Sequence, residues 1–326
     1  MREAKILVTG AGGFIGSHLT EQLVRQGKPV RAFVHYNSAG HRGWLEESPV
    51  ASDIEFAKGD IRDFDAVCRA AQGCSVIFHL AALVGIPYSY VSPQAYLRTN
   101  IDGAFNVLES ARATSVERVV LTSTSEIYGN AREIPINELH PVNCQSPYAA
   151  SKAAADQLGL SYHRSFGVPV TLVRPFNTYG PRQSLRAVIP TIIAQLLSGD
   201  SAIDLGNPDP RRDFTFVEDT VAGFLAASAA DSLIGEVVHI GNGTDVSVGE
   251  LVSQLGGLTG RAFELKLDQS RVRPAASEVD QLVCDSGKLR LRTGWQPVVT
   301  LEEGLRRTIQ WLEPRLAKVR AKEYSI

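Results

Sequence analysis

The rhythm of apolar and polar positions changes repeatedly along the first half of the chain. Short β-branched apolar runs occur at Lys5–Thr9, Val30–Val34, Ile54–Lys58, Val76–Leu80, Val119–Thr122 and Val170–Arg174. Between them lie segments with helical spacing, at Gly13–Gln26, Asp63–Ala71, Pro93–Thr114 and Pro147–Phe166. Strand–helix alternation of this kind predicts βαβ units, and therefore an α/β fold with a doubly wound parallel sheet.

Several helix ends carry their own signals. Ser92-Pro93 and Ser146-Pro147 each set a capping hydroxyl before a first-turn proline, and Gly167, followed by Pro169, suits a helix stop. Ser247-x-x-Glu250 and Thr300-x-x-Glu303 both read as capping boxes. After Arg174 the texture shifts to loops rich in Pro, Gly and Asn, such as Pro175–Arg182 and Gly206–Arg212. The expected division is a sheet domain over 1–175, with 214–243 returning to it, and a smaller C-terminal α/β part from 176–213 and 244–326.

The chain has 326 residues, 44% of them hydrophobic, and a formal net charge of −2. This fits a globular protein with ample length for a core, and it argues against a nucleic-acid or polybasic membrane partner. The densest basic stretch, Arg315–Lys322, reads as a solvated helix face. Cys68, Cys74, Cys144 and Cys284 show neither CxxC pairing nor zinc spacing, so a reduced, cytoplasmic setting is the simpler expectation. There is no signal-peptide core and no apolar stretch of membrane-spanning length, and the seven His are scattered, so no metal site is expected.

Ligands of open parallel sheets bind beyond the carboxyl ends of the strands. The first strand runs into Gly10-Ala11-Gly12-Gly13-Phe14-Ile15-Gly16 and then a helix. Glycines at this spacing permit a tight turn and a close backbone approach, which places a pyrophosphate at the helix N-terminus. The context favours dinucleotide binding, with Gly10, Gly13, Phe14, Ile15 and Gly16 in contact. The second strand lacks the usual terminal acid and is followed by His35-Tyr36-Asn37-Ser38. Asn37 or Ser38 could bond a ribose hydroxyl, and the missing carboxylate leaves NAD and NADP both open. Asp60-Ile61 could meet an adenine, although Asp60 could equally cap the next helix. Leu80-Ala81-Ala82 has the small side chains suited to a cofactor lying against backbone.

At the reacting end, Tyr148 and Lys152 stand four residues apart on one helix face. A nearby ammonium favours phenolate formation, which would make Tyr148 a useful base. The fifth strand leaves through Thr-Ser-Thr-Ser-Glu-Ile-Tyr-Gly at 122–129. A carboxylate at the end of a buried strand is costly unless it is paired or used, so Glu126 calls for a role.

These landmarks together identify a resemblance. GAGGFIG at 10–16, GDI at 59–61, HLAA at 79–82, Asn100, the 122–129 segment, YAASK at 148–152, RPFNTYGPR at 174–182 and RRDF at 211–214 resemble the extended short-chain dehydrogenase/reductase family over nearly the whole chain. Within it the chain looks most like nucleotide-sugar 4,6-dehydratases, especially the UDP-N-acetylglucosamine branch of legionaminic-acid-type pathways. Ile86-Pro87-Tyr88-Ser89-Tyr90, Gln145-Ser146-Pro147-Tyr148, Ser277-Glu278-Val279 and Glu323-Tyr324-Ser325-Ile326 carry the narrower match.

The resemblance implies a Rossmann domain holding NAD, with Asn100, Thr122, Tyr148 and Lys152 added to the cofactor contacts. It implies that Tyr148, assisted by Lys152 and Thr124, takes the sugar 4-hydroxyl proton as the C4 hydride leaves. The 4-ketone acidifies C5, Glu126 takes that proton, and water departs from C6. Ser125 stands where dTDP-glucose 4,6-dehydratases have an Asp that acts as the C6 acid. Asn177, Arg182, Arg212 and Arg273 are expected to contact the nucleotide sugar, although Arg211 and Arg271 could exchange roles with their neighbours. The helices Pro93–Thr114 and Pro147–Phe166 resemble the family's dimer-forming pair, implying a homodimer. A 4-epimerase, a UDP-glucuronate decarboxylase and, in a different class, a non-catalytic nucleotide-sensing protein are the competing readings.

Overall fold

In a computed structural model, which describes residues 4–199 and 202–318, the alternation becomes a seven-stranded, wholly parallel sheet. Its first six strands in chain order are β1 (Lys5–Thr9), β2 (Val30–His35), β3 (Ile54–Gly59), β4 (Cys74–His79), β5 (Arg118–Thr122) and β6 (Val170–Pro175). They lie in the spatial order β3-β2-β1-β4-β5-β6, and a short strand at Val237–Ile240 pairs with β6 at the far edge. The connecting helices are α1 (Phe14–Arg25), α2 (Phe64–Ala71), α3 (Ile86–Val91), α4 (Pro93–Tyr96), α5 (Gly103–Thr114) and α6 (Pro147–Phe166).

Alternate strand residues feed two cores, one on each face. Leu7, Ile77, Val119 and Leu172 join Val67 of α2, Leu108 of α5 and Tyr162 of α6. Their neighbours Val8, Phe78, Val120 and Val173 face the other way, onto Leu19 and Leu23 of α1 and Phe224 of the helix Val217–Ala229. Burial on both faces is why these strands read as continuous apolar runs rather than alternating ones. The chain order reverses between β1 and β4, which opens a crevice at their carboxyl ends. A third core, built around Ile189, Ile193, Phe214, Phe216, Leu251 and Leu305, fills the C-terminal part.

Three local expectations require correction. The segment Pro93–Thr114 is not one uniform helix: α4 passes through a π-helical turn, Leu97–Asp102, before α5, and the separate helix α3 precedes it. Ser92 makes no capping bond, whereas Ser146 Oγ accepts from Ala149 N at 3.1 Å. The box at Ser247 and Glu250 is complete, but at Thr300 only half of it forms, because Glu303 bonds Arg307 instead at 2.7 Å. The terminal Glu323-Tyr324-Ser325-Ile326 and residues 319–322 of the basic stretch lie outside the described residues. Among the described residues the four cysteines are free, no acidic, Cys or His cluster could hold a metal, and no helix is long and apolar enough to cross a membrane.

Candidate active site

The crevice between β1 and β4 is shaped by backbone approaching backbone. Gly10 has φ +68°, and a Cβ there would lie 2.7 Å from Ala81 N and 2.8 Å from the Leu80 carbonyl carbon. At Gly16 a Cβ would meet Gly10 O at 2.2 Å, so α1 packs directly on the turn. Gly13 is the N-cap of α1 and brings no capping side chain, and the first turn, with Phe14 and Ile15, contains no acid. Those amides are left for an anion, as a pyrophosphate site requires. Further along, the Thr122 hydroxyl is buried without a hydrogen-bond partner. A cradle of this shape with a waiting hydroxyl fits a dinucleotide.

Asn100 explains the π-helical turn. The extra residue per turn directs its amide inward, where Oδ1 accepts from Leu83 N at 2.9 Å and Nδ2 donates to Leu83 O at 3.0 Å and Ser151 Oγ at 2.9 Å. It thereby clips the chain leaving Leu80-Ala81-Ala82 to α6. Two other residues at the nucleotide end are engaged locally. The Asn37 amide closes its own loop through His41 N and O, both at 2.9 Å. Asp60 chelates the Arg62 guanidinium, which holds its carboxyl down to about 2. The helix cap is Asp63 rather than Asp60, and the Ile61 side chain belongs to the core.

At the reacting end, Tyr148 is buried and packs edge-on against Tyr96. Burial pushes its phenol above the ordinary range; the Thr124 hydrogen bond opposes this, and the Glu126 charge adds to it. Lys152 Nζ donates to Thr122 O at 2.5 Å, and burial lowers the ammonium to about 8 against the opposing pull of Asp156. The expectation that Lys152 depresses the Tyr148 phenol is therefore corrected. The ammonium is turned to a carbonyl, and desolvation outweighs the helix-face proximity.

Because Lys152 has a folded value below its unfolded one, it adds stability above its ordinary range that is lost as pH falls through about 8. Lys152→Met should accordingly raise the melting temperature at pH 7 by a few degrees, with the gain shrinking toward pH 10. Thermal melts across that range check the sign.

Glu126 sits half-buried in a single 3-10 turn, Ser125–Tyr128, capped by Thr124, whose Oγ1 accepts from Glu126 N at 3.3 Å. Its charge acts on both Tyr148 and Arg212. The neighbouring Ser125 is buried.

Arg212 and Arg273 are brought together by one carboxylate, Glu278, at 3.6 and 3.4 Å. Arg182 is not part of that group: at φ +71° it reaches back to α1, donating to Ser17 Oγ at 3.1 Å and Glu21 at 2.8 Å. Arg211 is paired with Asp245 and Glu250, and Arg271 with Asp268, which separates them from Arg212 and Arg273. Asn177 Oδ1 is buried without a partner.

No local pattern announces the groups that hold the Glu278 loop in place. Tyr90 OH bonds Ser277 Oγ at 2.5 Å, Ser277 Oγ donates to Gln145 O at 2.6 Å, and Gln145 Nε2 donates to Ala276 O and Glu278 O. The three internal phrases of the narrower resemblance thus meet in one cluster at the start of α6. A cavity of about 280 Å³ opens beside Arg212, between Phe214, Asn242, Asp245 and Thr300, but neither Tyr148 nor Glu126 lines it.

The arrangement provides a dinucleotide cradle, a phenol–ammonium pair, a carboxylate beside them and two arginines sharing one anion. Known proteins resemble the chain over nearly its whole length. The family model described as GDP-mannose 4,6 dehydratase matches residues 7–308. A dTDP-glucose 4,6-dehydratase of Streptomyces antibioticus is 33% identical, over 94% of this chain and 91% of its own length. A UDP-N-acetyl-α-D-glucosaminuronate decarboxylase of Bacillus cytotoxicus is 32% identical, over 94% and 98%. The structure of a Bacillus cereus UDP-glucuronic acid 4-epimerase, in complex with UDP-glucuronic acid and NAD, superimposes with a TM-score of 0.86 at 28% identity, covering 95% of this chain and 99% of that one.

Proposed function

The chain belongs to the GDP-mannose 4,6 dehydratase family of extended short-chain dehydrogenase/reductases, and from that premise we propose that it is a nucleotide-sugar 4,6-dehydratase acting on UDP-N-acetylglucosamine. The family's cofactor is NAD, and its members include dehydratases, epimerases and decarboxylases. Gly10–Gly16, Leu80–Ala82 and Thr122 would hold NAD, which would supply hydride-transfer chemistry at C4 and C6.

The observation that carries the reading is Glu126, a carboxylate in the turn capped by Thr124 and near enough to act on Tyr148. Tyr148, with Thr124 lowering its phenol and Lys152 on the same helix face, takes the 4-hydroxyl proton. Glu126 takes the C5 proton that the 4-ketone has acidified and passes it to the departing C6 hydroxyl, so one base serves as the acid that Ser125 cannot be. A solvent proton then completes C5. The product is a 4-keto-6-deoxy sugar, lighter by one water. Arg212 and Arg273 would exchange Glu278 for the diphosphate, which guanidinium groups bind in a bidentate way. Asn177 would meet the sugar with its unpartnered amide oxygen. Arg182 supports the site through α1, where its bonds to Ser17 and Glu21 lie.

Incubation with UDP-N-acetylglucosamine, UDP-glucose, dTDP-glucose and UDP-glucuronate, followed by mass spectrometry, tests the substrate. Water loss is expected with the first, whereas loss of carbon dioxide from the last would make the protein a decarboxylase.

The free cysteines support action in a reducing cytoplasm. A homodimer through α5 and α6 is supported by Phe105, which is 43% exposed, and Phe166, 54% exposed, on those helices. Light scattering after size exclusion should give twice the chain mass, and Phe105→Asp should give the monomer; a wild-type monomer would discard the dimer.

A further inference from the structure

Behind the reacting groups runs a buried polar chain that the chemistry above does not use. Asp156 follows Lys152 by one turn of α6; its Oδ2 accepts from Ser123 Oγ at 2.8 Å and from Arg174 Nε at 3.0 Å, and forms an ion pair with Arg174 Nη2 at 2.9 Å. Arg174 Nη1 donates to the Tyr128 hydroxyl at 2.6 Å, and that hydroxyl meets His239 Nε2 at 2.6 Å. His239 Nδ1 faces the Asp285 carbonyl oxygen at 3.2 Å. A carbonyl can only accept, so Nδ1 carries the imidazole proton and Nε2 must accept from Tyr128. Arg174 donates to Tyr128, Tyr128 to His239 and His239 to Asp285, so the chain runs in one direction. Tyr128 and His239 are fully buried, and Asp156 and Arg174 nearly so.

The position of Tyr128 gives the chain its meaning. It ends the single 3-10 turn that begins at Ser125 and contains Glu126. Gly129 follows at φ +59°, so the turn is closed on that side by a sharp reversal. One end of the chain is therefore fixed to the helix carrying Tyr148 and Lys152, and its middle member, Tyr128, belongs to the turn carrying Glu126. Resting on the dehydratase reading, we propose that Tyr128 is a positioning residue: held by Arg174 and His239, it sets Glu126 against C5 of a sugar whose C4 oxygen is at Tyr148. Groups that act on adjacent carbons of one substrate must be held to a fraction of an ångström of each other, and a lone 3-10 turn has too few bonds to do this unaided.

The consequence is a step-specific defect. Tyr128→Phe keeps the ring and removes the link. In single turnover with UDP-N-acetylglucosamine in deuterated water, C5 exchange should slow by ~10²-fold while the absorbance of reduced nicotinamide still appears at the wild-type rate and KM is unchanged. His239→Leu removes the acceptor at the other side of the hydroxyl and should show the same split, so either variant, once folded, decides the matter. His239→Gln, which keeps an acceptor for Tyr128, should restore exchange. Equal slowing of both steps, or unchanged exchange, in a folded variant would overturn the positioning role. Absence of C5 exchange in the wild-type protein is a separate result, which would overturn the dehydratase reading itself.

Discussion

Glu126→Gln is expected to stop water loss and C5 exchange, by roughly 10²–10⁴-fold, while leaving C4 oxidation in place. The amide keeps the volume of the side chain but neither takes the C5 proton nor passes it to the C6 hydroxyl. A second effect follows from charge. The Glu126 carboxylate is one of the groups that raise the Tyr148 phenol, so its removal lowers that phenol toward its ordinary value. The pH profile of C4 oxidation, which needs the phenolate, should therefore move to lower pH in the variant. Rapid mixing that follows reduced nicotinamide, with mass spectrometry of quenched sugar, separates the two effects. Persistent C5 exchange in Glu126→Gln would remove this residue from the role of base.

Gly10→Ala is expected to be as damaging by a purely steric route. At φ +68° an alanine carries about 1–2 kcal/mol of backbone strain before any contact is considered. Its Cβ would then stand 2.7–2.9 Å from three backbone atoms of Leu80 and Ala81. Main chain on both sides cannot swing away as a flexible side chain would. The ends of β1 and β4 must part, and with them the cradle for the pyrophosphate. We expect destabilisation beyond about 3 kcal/mol, with loss of the rise in melting temperature that NAD should give the wild-type protein. Gly27→Ala serves as the control, because a Cβ there meets nothing within 4 Å while the backbone strain, at φ +75°, is the same in kind.

The legibility of this fold in its sequence follows from where its residues are buried. The six strands β1 to β6 are readable because helices cover both faces, so nearly every position must be apolar. The strand Val237–Ile240 has only four residues and owes its existence to pairing with β6, which no local pattern announces. The π-helical turn at Leu97–Asp102 is hidden for a related reason. Periodicity near 3.6 reports which face is apolar, and the extra residue that turns Asn100 inward is specified by Leu83 and Ser151, far away in sequence.

The site divides along the same line. Spacing alone put Tyr148 and Lys152 on one helix face, and the glycine run announced its turn. What spacing could not supply was direction. Lys152 turns to a carbonyl, and Arg182 finds Glu21 in α1 while Arg212 and Arg273 share Glu278. A basic residue in a loop advertises its charge but not its partner. Tyr128 stands in a recognisable segment, but nothing local signals its place in the chain, since its partners Arg174 and His239 come from two other strands.

The central claim is that this site couples hydride shuttling to elimination. It is tested most directly by letting the wild-type protein turn over UDP-N-acetylglucosamine in deuterated water and examining the sugar by mass spectrometry and NMR. The account predicts loss of one water, a new methyl group at C6 and one solvent deuteron at C5. An unchanged mass with inverted C4 and no deuterium at C5 would contradict it and make the protein a 4-epimerase.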